Sequence, residues 1–212
     1  MKKLQLRAFF LPVLVLCMLA GCGNGVREKR LEGIDVLEKG KYEEAVRLFD
    51  EAMELSRGRI SQEQFDILLY RAEAEYMTGD YDAAEETLRV LVQVDGEKDV
   101  YHRMLEQIDA KHLVKAAGEA LNEGKTGDAR RMMDDAVSKG LKNDRELEFN
   151  EAVYLEKTAA WEEALEAFRT YLRNYPGDPD AEKELAFLET RIEEFSTNDA
   201  LREDLPALQA AK

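Results

Sequence analysis

Cysteine, histidine and proline are scarce in this chain of 212 residues, which holds two, two and four of them. Each shortage excludes something. The histidines, His102 and His112, are ten residues apart on what reads as one helix, so they point about 80° away from each other and are not the i, i+4 pair of a zinc site. Between Cys22 and Asn174 there is no proline, and runs of Val, Ile and Thr alternating with polar residues are absent. Long helices joined by short glycine-bearing turns follow, and strands do not. No glycine-rich phosphate loop follows a strand, because "GNG" at 23–25 stands behind an apolar stretch instead. The "DGEKD" of 95–99 lacks the alternating acids and distant glutamate of a calcium loop and reads as a turn between helices.

Long apolar runs are also missing, with one exception. Ala8–Ala20 is thirteen residues long and contains Pro12. A helix needs about 20 residues to cross a bilayer, so a permanent span is not expected. Lys2, Lys3 and Arg7 precede the run, and small residues end it. Basic, apolar and small, in that order, is the layout of a secretory signal.

The residues that close it, Leu19-Ala20-Gly21-Cys22, resemble the bacterial lipoprotein box. The resemblance implies that residues 1–21 are a signal cut just before Cys22, and that the Cys22 thiol carries a diacylglyceryl group. Two acyl chains hold a membrane firmly where one does not, at about 0.8 kcal/mol per buried methylene. Residues 22–25 would then be a short lipidated tether. The expected location is the extracytoplasmic face of a cell membrane. Cys17 would leave with the signal, so no disulfide, free thiolate or Cys-based zinc site would remain.

Positive charge is the next shortage. Residues 1–21 hold three basic and no acidic side chains, so from Cys22 onward 45 acidic residues face 27 basic ones, and the net charge falls from −15 to −18. Such a balance repels phosphate backbones and excludes nucleic acid as a partner.

What the chain does have is repetition. "GKYEEAVRLFDEA" from Gly40, "GDYDAAEETLRVL" from Gly79, "GKTGDARRMMDDA" from Gly124 and "AAWEEALEAFRTY" from Ala159 align with one another. Ala45, Ala84, Ala129 and Ala164 form one column, and Phe49, Leu88, Met133 and Phe168 follow four residues later on the same helical face. Twelve residues before each alanine stands another small residue: Gly33, Ala72, Ala117 and Ala152. Small side chains at the middle of two antiparallel helices let the backbones approach closely. Gly40, Gly79 and Gly124 fall at the turn, where a left-handed residue commonly ends a helix.

The pattern resembles the tetratricopeptide repeat, a 34-residue helix-turn-helix unit. The resemblance implies an all-α helix-turn-helix solenoid of about four repeats, at about 26–59, 65–98, 110–143 and 145–178. Tyr42, Tyr81 and Trp161 fill the family's aromatic place; Thr126 stands there in the third unit. The alanine spacings of 39, 45 and 35 depart from a constant 34. The first excess falls in "GRISQEQ", read as a longer loop. The second falls in "DVYHRMLEQIDA" at 99–110, and with no proline or glycine over 99–117 it predicts one long helix from about Val100 to Asn122 capped by Asp99. A regular superhelix is not expected to continue past it. Asp178 and Pro179 open a capping helix over 179–195, with Ala181, Leu185, Leu188, Ile192 and Phe195 on one side. Residues 196–212 read as a flexible tail, and the repeat region as 26–195.

In this family the first helix of each unit lines a groove for ligands. On that template the groove side chains are Arg30, Ile34 and Leu37; Leu69, Glu73 and Tyr76; Val114 and Leu121; and Phe149 and Val153. They suit an extended segment or a partner helix. The lysine, arginine and asparagine set that clamps a terminal carboxylate is missing but for Arg30 and Asn122. No catalytic residue, cofactor or metal is expected. The resulting expectation is a membrane-anchored scaffold for a protein or peptide partner in the cell envelope. A component of an envelope or outer-membrane assembly machinery is the narrower alternative, and a solute-binding lipoprotein, which needs strands, the remoter one.

Overall fold

The computed structural model describes the backbone of residues 11–58 and 60–210, with side chains over 25–58 and 60–194. Among the described residues every regular element is an α-helix, and no helix is long and apolar enough to cross a membrane. The chain divides into two units, residues 1–108 and 109–212.

The first unit contains α1 (Leu11–Glu38), α2 (Tyr42–Ser56), α3 (Gln62–Thr78), α4 (Tyr81–Asp95) and the opening of α5 (Asp99–Asn122). Two hairpins, α1–α2 and α3–α4, are closed by the same turn. Gly40 and Gly79 take φ of 72° and 84°, a region that favours glycine. The Gly40 amide donates to the Leu37 carbonyl and the Lys41 amide to that of Val36, at 2.9 and 3.0 Å. Gly79 and Asp80 do the same to Tyr76 and Glu75. These paired bonds satisfy the last carbonyls of the outgoing helix and stop it. The aromatic residue of the repeat then opens the next helix, Tyr42 in α2 and Tyr81 in α4.

Packing follows the small-residue columns. Ala45, Leu48, Phe49 and Ala52 of α2 are buried with Val26, Val36 and Leu37 of α1 and with Ile67 and Ala74 of α3. Gly33 makes room for a ring: a Cβ there would lie 2.6 Å from Phe49 Cε1. Ala72 and Ala84 share a second core with Leu88, Leu91, Tyr101 and Ile108. One buried polar network ties three helices. Thr87 donates to the Glu75 carboxylate at 2.8 Å, and Arg71 reaches Glu75, Thr87 and Asp50 at 2.6, 2.6 and 2.7 Å. Burial pushes the Glu75 carboxyl above its ordinary value, against the pull of Thr87 and Arg71.

The second unit holds the remainder of α5, then α6 (Thr126–Ser138), α7 (Arg145–Lys157), α8 (Trp161–Asn174) and α9 (Pro179–Ala210). Its hairpin turns repeat the same bonds, at Gly124–Lys125 and at Ala159–Ala160. Thr126 and Trp161 open the second helices. Ala159 has φ of 63°, so an alanine occupies the left-handed place that glycine takes in the other three. Ala117 and Ala129 share a core with Val114, Leu121 and Met133. Ala152 and Ala164 share another with Phe168, Tyr171, Ala181 and Leu188. Asp178 Oδ1 accepts from the amides of Asp180 and Ala181 at 3.1 and 3.3 Å, which caps α9 with Pro179 as its first residue.

Three boundaries differ from the sequence expectation. The helix expected from about residue 26 begins at Leu11 and runs unbroken through 22–25, because glycine weakens a helix by only about 1 kcal/mol per residue. The capping helix expected to end at 195 continues to Ala210: neither glycine nor proline interrupts 196–205, and the helix carries on past Pro206. The long helix starts at Asp99 itself, with the Lys98 carbonyl accepting the first helical bond, so Asp99 sits in the first turn rather than capping it. Residues 1–10 and the side chains of Cys22 and Phe195 lie outside the described residues.

Candidate functional site

The residues expected to line a groove fall into two sets, one in each unit. In the first unit, α1 presents Arg30 and Ile34, both half-buried. Arg30 donates to Asp66 of α3 at 3.3 Å and lies 3.9 Å from Glu63, so its charge is spent inside the unit. From α3, Leu69 and Tyr76 are half-buried against the core around Ala72 and Ala84, and Glu73 is exposed. The Tyr76 and Tyr81 rings meet at 5.4 Å. Leu37 is buried in the α1–α2 core and is not available to a ligand.

In the second unit, Val114 and Leu121 are also core residues, at 0% and 1% exposure, closed over by α6 and α7. The template places them on an open face, but long apolar side chains there complete the packing of neighbouring helices instead. Phe149 and Val153 of α7 remain half-buried. Phe149 is set edge-on to Phe168 at 5.7 Å and to Tyr171 at 5.5 Å, which fixes its plane.

Phe149 forms part of the lining of a cleft of about 340 Å³ at the starts of α7 and α9. Lys111, Arg145, Glu146, Tyr171, Asp178 and Asp180 complete it. Two cations in this lining are already neutralised. Lys111, 7% exposed, reaches Asp144 at 2.8 Å and Glu146 at 3.6 Å. Arg145 donates to Asp178 at 2.7 Å and to the Tyr171 hydroxyl at 3.0 Å, with its guanidinium 5.9 Å from the centre of the Tyr175 ring. The Tyr171 hydroxyl donates in turn to Asp178 at 2.6 Å. Tyr171 foremost, and then Arg145, hold the Asp178 carboxyl down at about 2. Burial and the neighbouring Asp178 push the Tyr171 hydroxyl upward. The arrangement is a rigid aromatic floor under a rim of charges, suited to holding a segment of another molecule.

Of the cleft residues, Phe149 alone belongs to the groove set expected from the sequence. Lys111 and Glu146 stand at the second position of units three and four, a ligand-facing place of the family's template that the expected set left out. Arg145 and Asp178 are 33 residues apart, about one repeat, and only their meeting across the stack reveals them. The two histidines sit on α5, where His102 is exposed and pairs with Glu97, and His112 borders a separate cleft with Asp109, Leu113 and Lys139.

Two tetratricopeptide-repeat models match the sequence, one over residues 36–108 and the other over 114–179. A solved structure of a thermophilic TPR protein in Thermus thermophilus is 18% identical, with a TM-score of 0.41, over 78% of this chain and 99% of that one. MamA AMB-1 is 19% identical, with a TM-score of 0.32, over 84% of this chain and 92% of that one. No curated protein matches the chain.

Proposed function

Because this chain belongs to the tetratricopeptide-repeat family, we propose that it is a non-enzymatic scaffold that binds a protein partner, hung by lipid on Cys22 from the extracytoplasmic face of a cell membrane. The observation that carries the scaffold reading is the cleft of the second unit, a fixed aromatic floor left open beside helix ends whose two cations are already paired within the chain. Recognition by such a surface needs no chemistry beyond burial and polar pairing. The tether reading rests on the order of residues 1–22, basic then apolar then Leu-Ala-Gly-Cys.

Both parts are open to direct test. In the wild-type protein, the acylated form fractionates with membranes. Cys22→Ser releases it to the soluble exported fraction, and continued membrane retention would refute the tether. Mild crosslinking of intact cells followed by purification recovers a membrane-associated protein partner. Recovery of the chain alone, at every crosslinker length, counts against the scaffold.

A further inference from the structure

The cleft of the second unit is specific in its chemistry. Its two cations are committed internally, Lys111 to Asp144 and Glu146, and Arg145 to Asp178 and Tyr171. The acids are less fully used. Glu146 has a side chain 43% exposed and meets Lys111 only at 3.6 Å, beyond hydrogen-bonding distance. Asp180 is exposed on the first turn of α9, and its carboxylate has no partner among the described residues. With Asp144 and Asp178 added, four carboxylates face two cations around one aromatic floor.

Arg145 shows how this cleft treats a cation. Its guanidinium lies against the face of Tyr175 while its N–H groups reach a carboxylate and a phenol oxygen. A cation near a ring face is attracted by the ring's electron-rich face, and a charged hydrogen bond adds to that attraction. Glu146 and Asp180 line the same cleft and offer a second cation carboxylates to pair with.

We propose that this cleft receives an extended basic segment of the partner, with a lysine or arginine at the Glu146 and Asp180 rim and an apolar side chain against Phe149. The proposal rests on the scaffold reading and names the chemistry of what that scaffold holds. The chain's net charge of −15 draws such a segment in and steers its approach.

The test is fluorescence anisotropy on the full chain, with a short labelled peptide of lysine, arginine and leucine and a twin in which glutamate replaces every basic residue. The basic peptide binds, and raising the salt weakens it. Glu146→Gln with Asp180→Asn lowers its affinity about tenfold while circular dichroism stays unchanged, because both side chains are exposed. The acidic twin does not bind. Equal binding of the two peptides, no binding of the basic one, or an affinity indifferent to the double variant overturns the proposal. A neutral leucine peptide that binds as well as the basic one, and loses affinity on Phe149→Ala, sinks the basic chemistry and leaves the scaffold reading standing. A partner recovered by crosslinking while the basic peptide fails does the same.

Discussion

The side-chain amide of Asn150 donates to the main-chain carbonyl of Val114 at 2.8 Å, joining α7 to the middle of α5. Gly118 gives the amide its room, since a Cβ there would lie 3.1 Å from Asn150 Oδ1. Asn150 is 5% exposed, so the bond is made away from water. Removing a buried polar partner costs about 1–3 kcal/mol. Asn150→Ala is expected to lower stability by that amount in urea unfolding followed by circular dichroism. Gly118→Val costs more in the wild-type background than in the Asn150→Ala background, because the side chain it crowds has gone. A strictly additive double-mutant cycle would contradict this contact.

Ala159 is the alanine in a place built for glycine. A left-handed conformation costs an L-residue about 1–2 kcal/mol, and the φ of 63° shows that the turn imposes it. Ala159→Gly is therefore expected to raise the stability of the second unit by about 1 kcal/mol, net of the extra freedom glycine has when unfolded. A lower melting temperature for this variant would mean the turn is not strained.

The small-residue columns predict overpacking. Ala84 is fully buried, and Gly33 stands against the Phe49 ring. Ala84→Trp and Gly33→Ala should each cost about 1–3 kcal/mol, occasionally more, by forcing the paired helices apart. Unchanged unfolding midpoints would show that the columns are not where the helices meet.

These columns were the legible part of the fold. A small residue twelve positions before another is a local pattern, and the helix period turns it into a face without knowledge of the rest of the chain. The turn glycines, the aromatic starts of α2, α4 and α8 and the Asp178–Pro179 start of α9 were legible for the same reason. Leu37, Val114 and Leu121 were misplaced because position on a helix says which side a residue faces, while burial depends on which neighbour covers that side. Arg145 with Asp178 and Lys111 with Asp144 were invisible, since among so many charges no local pattern selects pairs 33 residues apart. The run of α1 through 22–25 was missed because glycine and asparagine favour a turn but do not compel one.

The pH dependence of the second unit has a definite sign. Asp178 holds its proton less tightly when folded, at about 2 against an ordinary 3.8, so the unfolded chain binds more protons and stability rises with pH. Its contribution is complete above about pH 4 and is lost as pH falls toward 2. Solvent screening at the mouth of the cleft keeps the effect on the order of 1 kcal/mol. Asp178→Asn should flatten this part of the acid-unfolding profile. An unaltered profile between pH 4 and 2 would show that the carboxylate gains nothing from Tyr171 and Arg145.

The turns between paired helices span two or three residues, from Lys39 to Lys41 in the first hairpin, Gly79 to Asp80 in the second and Thr158 to Ala160 in the last. Closing so small a loop forfeits little chain entropy, and most of each pair's interactions are near neighbours in sequence. Assembly can therefore begin at any hairpin and spread to the next, within microseconds to milliseconds for chains of such local topology. Opening of one pair is felt first by the helices it touches.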